Sequence, residues 1–546
     1  MADHPEHPMI EDGIFLGYDK NIPLKNEGLG RLLAYLVSGW VKLPGHRLTI
    51  ACPYWLVKDL QALLSDHGIA PERYQLLCTS DPWWRKIQLR LKELERNVRP
   101  GVHRIRARVR GEALPAMDST KGTWFEQIFL IDLNRLTNAK NLFAASLEVF
   151  KVIVFVAMVL WLIRLYWPVI LVLLAVFLAY RVWRKYRKKN KDRASATPKK
   201  LMRKQKRRHK RYMQEVSQLI KQINKQQTVR HWLVPTPFWP EANRIEHTKS
   251  IVCPDLVLQK FPLRFSDPTT EPIYARILDT LQNAPSLICY SDSIRNDQLV
   301  QGVGLSPDQI EVIGHGRVEL GEFLKLGKSM PGLDEQRQIA LESLRVYQRS
   351  NLAGNPYWSR FAWDKSTYVF YSSQARGQKN ILSLLRAIEI LRHRSSVPIR
   401  LVLTCERSPG SDLDLFITEY RLDAWVLFAT GVSNQVLASL YCWASLAVNP
   451  TLFEGGFPFT FTEAYSVGTP SLLSNIAMVR EKIVDSSLRD RMIFDPLNPQ
   501  DLANKILWGI DHRAELFDSQ RMLYEAFPTW EMVAKSYSDS LRRSSS

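Results

Sequence analysis

The chain has 546 residues, of which 46% are hydrophobic and 30 are proline, long enough for two or three domains with substantial cores. Six cysteines, at 52, 78, 253, 289, 405 and 442, show no Cys-x-x-Cys spacing, which argues for scattered reduced thiols and against a zinc site or a disulfide framework. The formal net charge of +20 is concentrated: between Arg181 and Arg211 there are seventeen Lys or Arg and one acid, Asp192, so this run carries +16 and the remainder is nearly balanced.

Met1 to Gly13 is polar and partly acidic, without the charged-then-apolar order of a signal peptide, so a cytosolic setting is expected. Strand-like runs follow at Ile14 to Gly17, Leu48 to Cys52 and Ile128 to Leu133, with a glycine loop Gly28-Leu29-Gly30-Arg31 after the first. In Arg104-Ile105-Arg106-Ala107-Arg108-Val109-Arg110 the alternation places four arginines on one face of a strand. That face is either a surface for anionic headgroups or diphosphate, or a solvated edge protected by charge.

Residues 152 to 180 contain one charge, Arg164, and one proline, Pro168, and read as a membrane segment. As one helix they would reach about 43 Å, beyond a hydrocarbon core of roughly 30 Å. A single crossing would also separate two halves of one sheet, because strand-like runs recur after it, at Ser250 to Cys253 and Ser286 to Cys289. A hairpin turning near Arg164 to Pro168 is therefore expected, and its short arms favour a re-entrant wedge. The basic run beside it is suited to anionic lipid and marks the cytoplasmic side. Nucleic acid is the less favoured partner, since the run abuts the apolar segment and lacks interleaved aromatics. Gln214 to Gln227 reads as a polar helix leading back to the globular part.

The fold class expected is α/β, with two Rossmann-like domains. The first comprises residues 13–146 and 228–325, interrupted by a membrane hairpin and polybasic insert at 147–227. A linker with an amphipathic helix covers 326–364, and a second domain 365–546. Its later strands are read at Ile399 to Thr404 and Ala424 to Phe428, and a mostly apolar segment runs from Trp443 to Val448.

After that segment comes Asn449-Pro450-Thr451-Leu452-Phe453-Glu454-Gly455-Gly456-Phe457-Pro458, then a helix beginning near Thr460 and carrying Glu463. Glycines let backbone amides approach a ligand, a helix N-terminus favours a diphosphate, and a carboxylate one turn inside can accept from ribose hydroxyls. The combination suits a nucleoside diphosphate sugar; a glycine-rich turn with two incidental glutamates is the plainer alternative.

This segment resembles the C-terminal signature of glycosyltransferase family 4, the retaining GT-B enzymes. Tyr368 to Asn380, with Arg376 and Lys379, is similar to that family's first C-domain strand and basic loop. Ser291 to Leu299 and Gln309 to Gly316 resemble its domain crossing, Gly28 to Arg31 its first glycine loop, and Thr529 to Ser540 its last helix, which packs back on the N-domain. Two departures stand out. Eight residues separate Glu454 from Glu463 where seven are usual, and Pro254, in Cys253-Pro254-Asp255, stands where the family often has a histidine. His231, His247 and His315 are possible stand-ins or ordinary loop residues.

The resemblance implies two domains facing a cleft and transfer of a sugar, with retention, from a nucleotide sugar to a hydroxyl acceptor. Arg376 and Lys379 would stabilise the departing diphosphate; Glu454 with Gly455, Gly456 and Phe457 would contact the donor sugar; Glu463 would hold ribose; Gly28 and Gly30 would admit the diphosphate or acceptor. No metal is expected, Asp412-Leu413-Asp414 being a weak candidate in a helix. The donor is read as a GDP- or UDP-sugar, mannose suggested, and no other cofactor is implied. The acceptor is read as a lipid-linked or envelope polysaccharide glycan, and the location as the cytoplasmic face of the inner membrane. The rival expectation is a membrane scaffold of the same fold without catalysis.

Overall fold

The computed structural model describes residues 9–20, 24, 28–79, 198–262, 271–325 and 332–543, with 198–205 as backbone only. The chain divides into two compact units, residues 1–80 with 212–546, and 81–211. The expected hairpin in 152–180, the basic run through residue 197, the arginine strand 104–110 and the strand at Ile128 all lie outside the described residues. Among the described residues no helix is long and apolar enough to cross a membrane.

The larger unit is built on two parallel sheets. The first has the order β3-β2-β1-β4-β5-β6-β7, from Ile10–Phe15 (β1), His46–Cys52 (β2), Gln75–Cys78 (β3), His231–Val234 (β4), Thr248–Val252 (β5), Leu287–Cys289 (β6) and Ile310–Val312 (β7). Strands from before and after the segment 80–197 thus share one sheet, β1 pairing with both β2 and β4. The second has the order β10-β9-β8-β11-β12-β13, from Tyr368–Tyr371 (β8), Arg400–Leu403 (β9), Val426–Phe428 (β10), Leu446–Asn449 (β11), Ser471–Ser474 (β12) and Ile493–Phe494 (β13). Central strands such as β8, β11 and β12 are buried along their whole length, as expected of parallel strands covered on both faces.

The apolar segment from Trp443 to Val448 divides between two elements, Trp443 ending the helix Asn434–Trp443 and Leu446 opening β11. The polar-looking helix Pro198–Lys225 buries Tyr212, Val216, Leu219, Ile220 and Ile223, a stripe at helical spacing diluted in the sequence by charges on the other faces. Its Tyr212 hydroxyl donates to the Gly17 carbonyl, 2.9 Å.

The last helix, Trp530–Arg543, crosses back to the first domain and buries Val533, Ala534, Tyr537 and Leu541. It is fixed there by Asp12 of β1, whose fully buried carboxylate accepts from Ser538 Oγ (2.6 Å), Arg542 Nη2 (3.0 Å) and Trp40 Nε1 (3.2 Å). Three donors offset the desolvation that would otherwise exclude a charge from that core. The backbone of Trp530 seats against Gly39, where a Cβ would come within 2.1 Å of the Trp530 carbonyl oxygen.

Candidate active site

The loops at the carboxyl ends of β8 and β11 are stitched together. Asn380, in the left-handed region at φ 53, donates from Nδ2 to the Pro450 carbonyl (3.0 Å) and the Pro496 carbonyl (2.8 Å). The Gln378 carbonyl accepts from the Leu452 amide (2.8 Å) and from Thr451 Oγ1 (3.1 Å). This stitching sets the basic loop beside the glycine loop, and Lys379 Nζ donates to Glu454 Oε1 at 2.5 Å, both side chains about four-fifths buried. Arg376 is exposed on the same loop, and its carbonyl accepts from the Lys379 amide at 2.9 Å, closing the turn that carries both cations.

The loop Glu454 to Phe457 is pressed against the first domain. A Cβ on Gly455 would lie 1.8 Å from the Pro254 carbonyl oxygen, and one on Gly456 would lie 2.6 Å from the His315 ring. The Gly455 carbonyl accepts from Ser291 Oγ at 3.0 Å, and the Phe457 carbonyl from His315 Nδ1 at 3.4 Å. The Phe457 ring packs on Phe461 and Phe527. The two glycines therefore serve the passage of one domain past the other, and their amides lie at that junction.

Glu463 lies in the helix Phe459–Tyr465 and is fully buried. Its Oε1 accepts from Arg31 Nη2, and its Oε2 from the Tyr441 hydroxyl at 2.9 Å. Burial, reinforced by the Glu463 charge, holds the Tyr441 phenol well above its ordinary range, so it remains a donor. Among the described residues no atom lies within 4 Å of a Cβ built on Gly28, at the start of the helix Gly28–Trp40, whereas the Cβ position of Gly30 is taken by the Leu24 carbonyl, 1.9 Å away. The second glycine is thus used by the chain itself.

Of the candidate histidines, His315 stands at the junction. Its buried Nε2 has no hydrogen-bond partner among the described residues, its ring stacks on Phe459 at 4.4 Å, and burial pushes its pKa down to about 4. His247 instead faces the Ile223 carbonyl at 3.1 Å, and His231 opens β4. Asp414 is engaged by Arg407 Nε (2.6 Å) and the Gly410 amide (2.8 Å). Among the described residues no group of three His, Cys, Asp or Glu is placed to hold a metal.

Residues 365–512, the core of this second domain, match the family model described as glycosyl transferases group 1. Over that stretch the second domain is similar to group 1 glycosyl transferases. The chain is 28% identical over 152 residues to O-antigen chain mannosyltransferase B of Escherichia coli, covering 28% of this chain and 38% of that protein. It is also 28% identical over 254 residues to MMP alpha-(1->4)-mannosyltransferase of Mycolicibacterium hassiacum, covering 46% of this chain and 52% of that one. It thus spans about half or less of the length of these relatives.

Over nearly the whole chain the fold is similar to that of a glycosyltransferase from Rickettsia africae (TM-score 0.50, 11% identity, 98% of this chain and 99% of that one). The N-terminal domain of Candida albicans trehalose-6-phosphate phosphatase is similar too (TM-score 0.53, 10% identity, 99% and 98%). The basic loop follows β8 and the glycine loop follows β11, both at the carboxyl edge of the second parallel sheet. Arg31, Tyr441 and Ser291 were given no role by sequence reading, because their partners lie far away in the chain.

Proposed function

We propose that the chain is a retaining glycosyltransferase that moves a sugar, with mannose the first candidate, from a GDP- or UDP-sugar to a glycan hydroxyl. The observation that carries this reading is the fixed Lys379 beside Glu454, on loops stitched together within a group 1 transferase domain. Cations held in place beside a departing diphosphate stabilise the transition state more than the ground state. Glu454 and the amides of Gly455 to Phe457 would contact the sugar, and Arg376 and Lys379 the diphosphate, with no metal required; Glu463, buried and held by Arg31 and Tyr441, would brace the helix behind this loop instead of reaching ribose. The mannosyltransferase names of the relatives favour mannose.

The acceptor we propose is a lipid-linked or envelope polysaccharide glycan, met at the cytoplasmic face of the inner membrane. Residues 152 to 180 would form the hairpin there, and the basic run 181 to 211 would rest on anionic lipid. The test is release of nucleoside diphosphate by membrane-extracted protein, screened over GDP- and UDP-sugars, for wild type and Lys379→Ala, with and without EDTA. Release that survives EDTA and is lost in the variant supports the reading. Folded protein that neither releases nor binds any donor, supplied with lipid extract, overturns it in favour of a scaffold.

A further inference from the structure

Two of the six cysteines are direct neighbours: Cys52 closes β2, Cys78 closes β3, and the two are register partners in the parallel ladder. Register partners carry their side chains on one face of a sheet, on strands about 4.8 Å apart, within the Cα separation of roughly 4.4–6.8 Å that a disulfide spans. Just beyond them the Tyr54 amide donates to Thr79 Oγ1 at 3.2 Å, which holds the ends of the two strands level. The two thiols differ in access. Cys52 is fully buried, whereas Cys78 is exposed on the edge strand of the sheet. Burial, with the Cys78 sulfur beside it, pushes the Cys52 thiol up to about 12, so Cys52 is not the first to react. An exposed thiol that attacks and a neighbouring thiol that resolves are the two parts that thiol–disulfide exchange needs. Cys253 and Cys289 also meet, the Cys253 amide donating to the Ile288 carbonyl at 2.8 Å, but both are buried and neither can start the exchange.

We propose that Cys52 and Cys78 form a reversible dithiol–disulfide site, oxidised by a low-molecular-weight disulfide, that clamps the edge strand β3 to β2 where the chain leaves the sheet at Thr79. The Cys78 thiolate, its proton released to solvent, attacks one sulfur of the oxidant, whose S–S bond breaks and expels the other half as a thiolate. Cys52 Sγ gives up its proton, attacks Cys78 Sγ and expels the second half. Two protein thiols thus lose two electrons to the oxidant, and the two thiolates it becomes take up the two protons. The Cβ atoms must close to about 3.8 Å, nearer than the strand spacing sets them, so the bond is strained and readily reduced again. Among the described residues β3 pairs with β2 alone, so the bridge acts on the strand's single attachment. The site is independent of the transferase chemistry.

The test is incubation of full-length protein in mixtures of oxidised and reduced glutathione, from wholly reduced to wholly oxidised, followed by alkylation, tryptic digestion without reductant and mass spectrometry. Lys58 and Arg73 place the two cysteines on separate peptides. Wild type is expected to yield these peptides joined, and dithiothreitol to part them. Cys52→Ser is expected to stop with glutathione held on Cys78, and Cys78→Ser to leave Cys52 unmodified. In bridged wild type, hydrogen exchange over Gln75 to Cys78 is expected to slow by roughly tenfold or more, with no such slowing in Cys52→Ser treated alike. Wild type that keeps glutathione on Cys78, joins Cys78 of two chains or stays reduced throughout overturns the site. A bridge that leaves exchange unchanged overturns the clamp.

Discussion

Arg31 of the first domain donates to the fully buried carboxylate of Glu463 in the second, across a sequence separation of 432 residues. The pair ties the helix Gly28–Trp40, whose first turn holds Gly28 to Arg31, to the helix Phe459–Tyr465. Removing one partner of a buried pair strands the other. Arg31→Ala is therefore expected to cost about 3 kcal/mol, the lower end of the usual range of about 3–5 kcal/mol because the Arg31 side chain is 28% exposed. Adding Glu463→Gln should restore part of that loss. A urea-denaturation double-mutant cycle measures the coupling; strictly additive effects would mean that the pair holds nothing together.

Local chemistry made much of the fold legible. Strand-like apolar runs marked β1, β2, β5, β6, β9 and β10, the family resemblance pointed to β8, and Glu454 to Glu463 marked the candidate site because glycines, proline and acids there are adjacent in sequence. What pairs across domains was not legible. Nothing near Arg31 points to Glu463, nothing near Ser291 to Gly455, and Asp12 meets Ser538 and Arg542 from the other end of the chain. The apolar stripe of Pro198–Lys225 was masked by a composition dominated by lysine and arginine, although its spacing was present all along.

Lys379→Ala removes the cation closest to Glu454 and leaves that acid without its 2.5 Å partner. If Lys379 stabilises the departing diphosphate, kcat/KM falls by about 10²-fold or more, with Lys379→Arg recovering part of it. Steady-state release of nucleoside diphosphate reads this directly. A loss smaller than about threefold would move Lys379 out of the chemistry.

Gly455→Ala introduces a methyl that would meet backbone, the Pro254 carbonyl oxygen at 1.8 Å, which cannot swing away as a side-chain tip could. The junction must open, breaking the Ser291 to Gly455 hydrogen bond. A stability loss of about 1–3 kcal/mol is expected from overpacking, together with a fall in turnover larger than that of Gly28→Ala, whose new Cβ would meet no atom of the described residues within 4 Å. Equal activity in the two variants would show that the close approach at 455 is dispensable.

His315 makes the junction sensitive to acid. Burial lowers its pKa from 6.5 to about 4, opposed only by the Phe457 carbonyl, and the rings of Tyr290 and Phe459 lie against it. The unfolded chain then binds a proton between these two values while the folded chain does not, so the slope of stability with pH is positive there. The contribution of His315 is fully present above about pH 6.5 and is lost as the pH falls toward 4, by at most about 3 kcal/mol. Chemical denaturation at a series of pH values should show this limb in wild type and a flatter one in His315→Phe, which keeps a ring between Tyr290 and Phe459 but cannot be protonated. Identical limbs in the two proteins would assign the acid sensitivity to carboxylates instead.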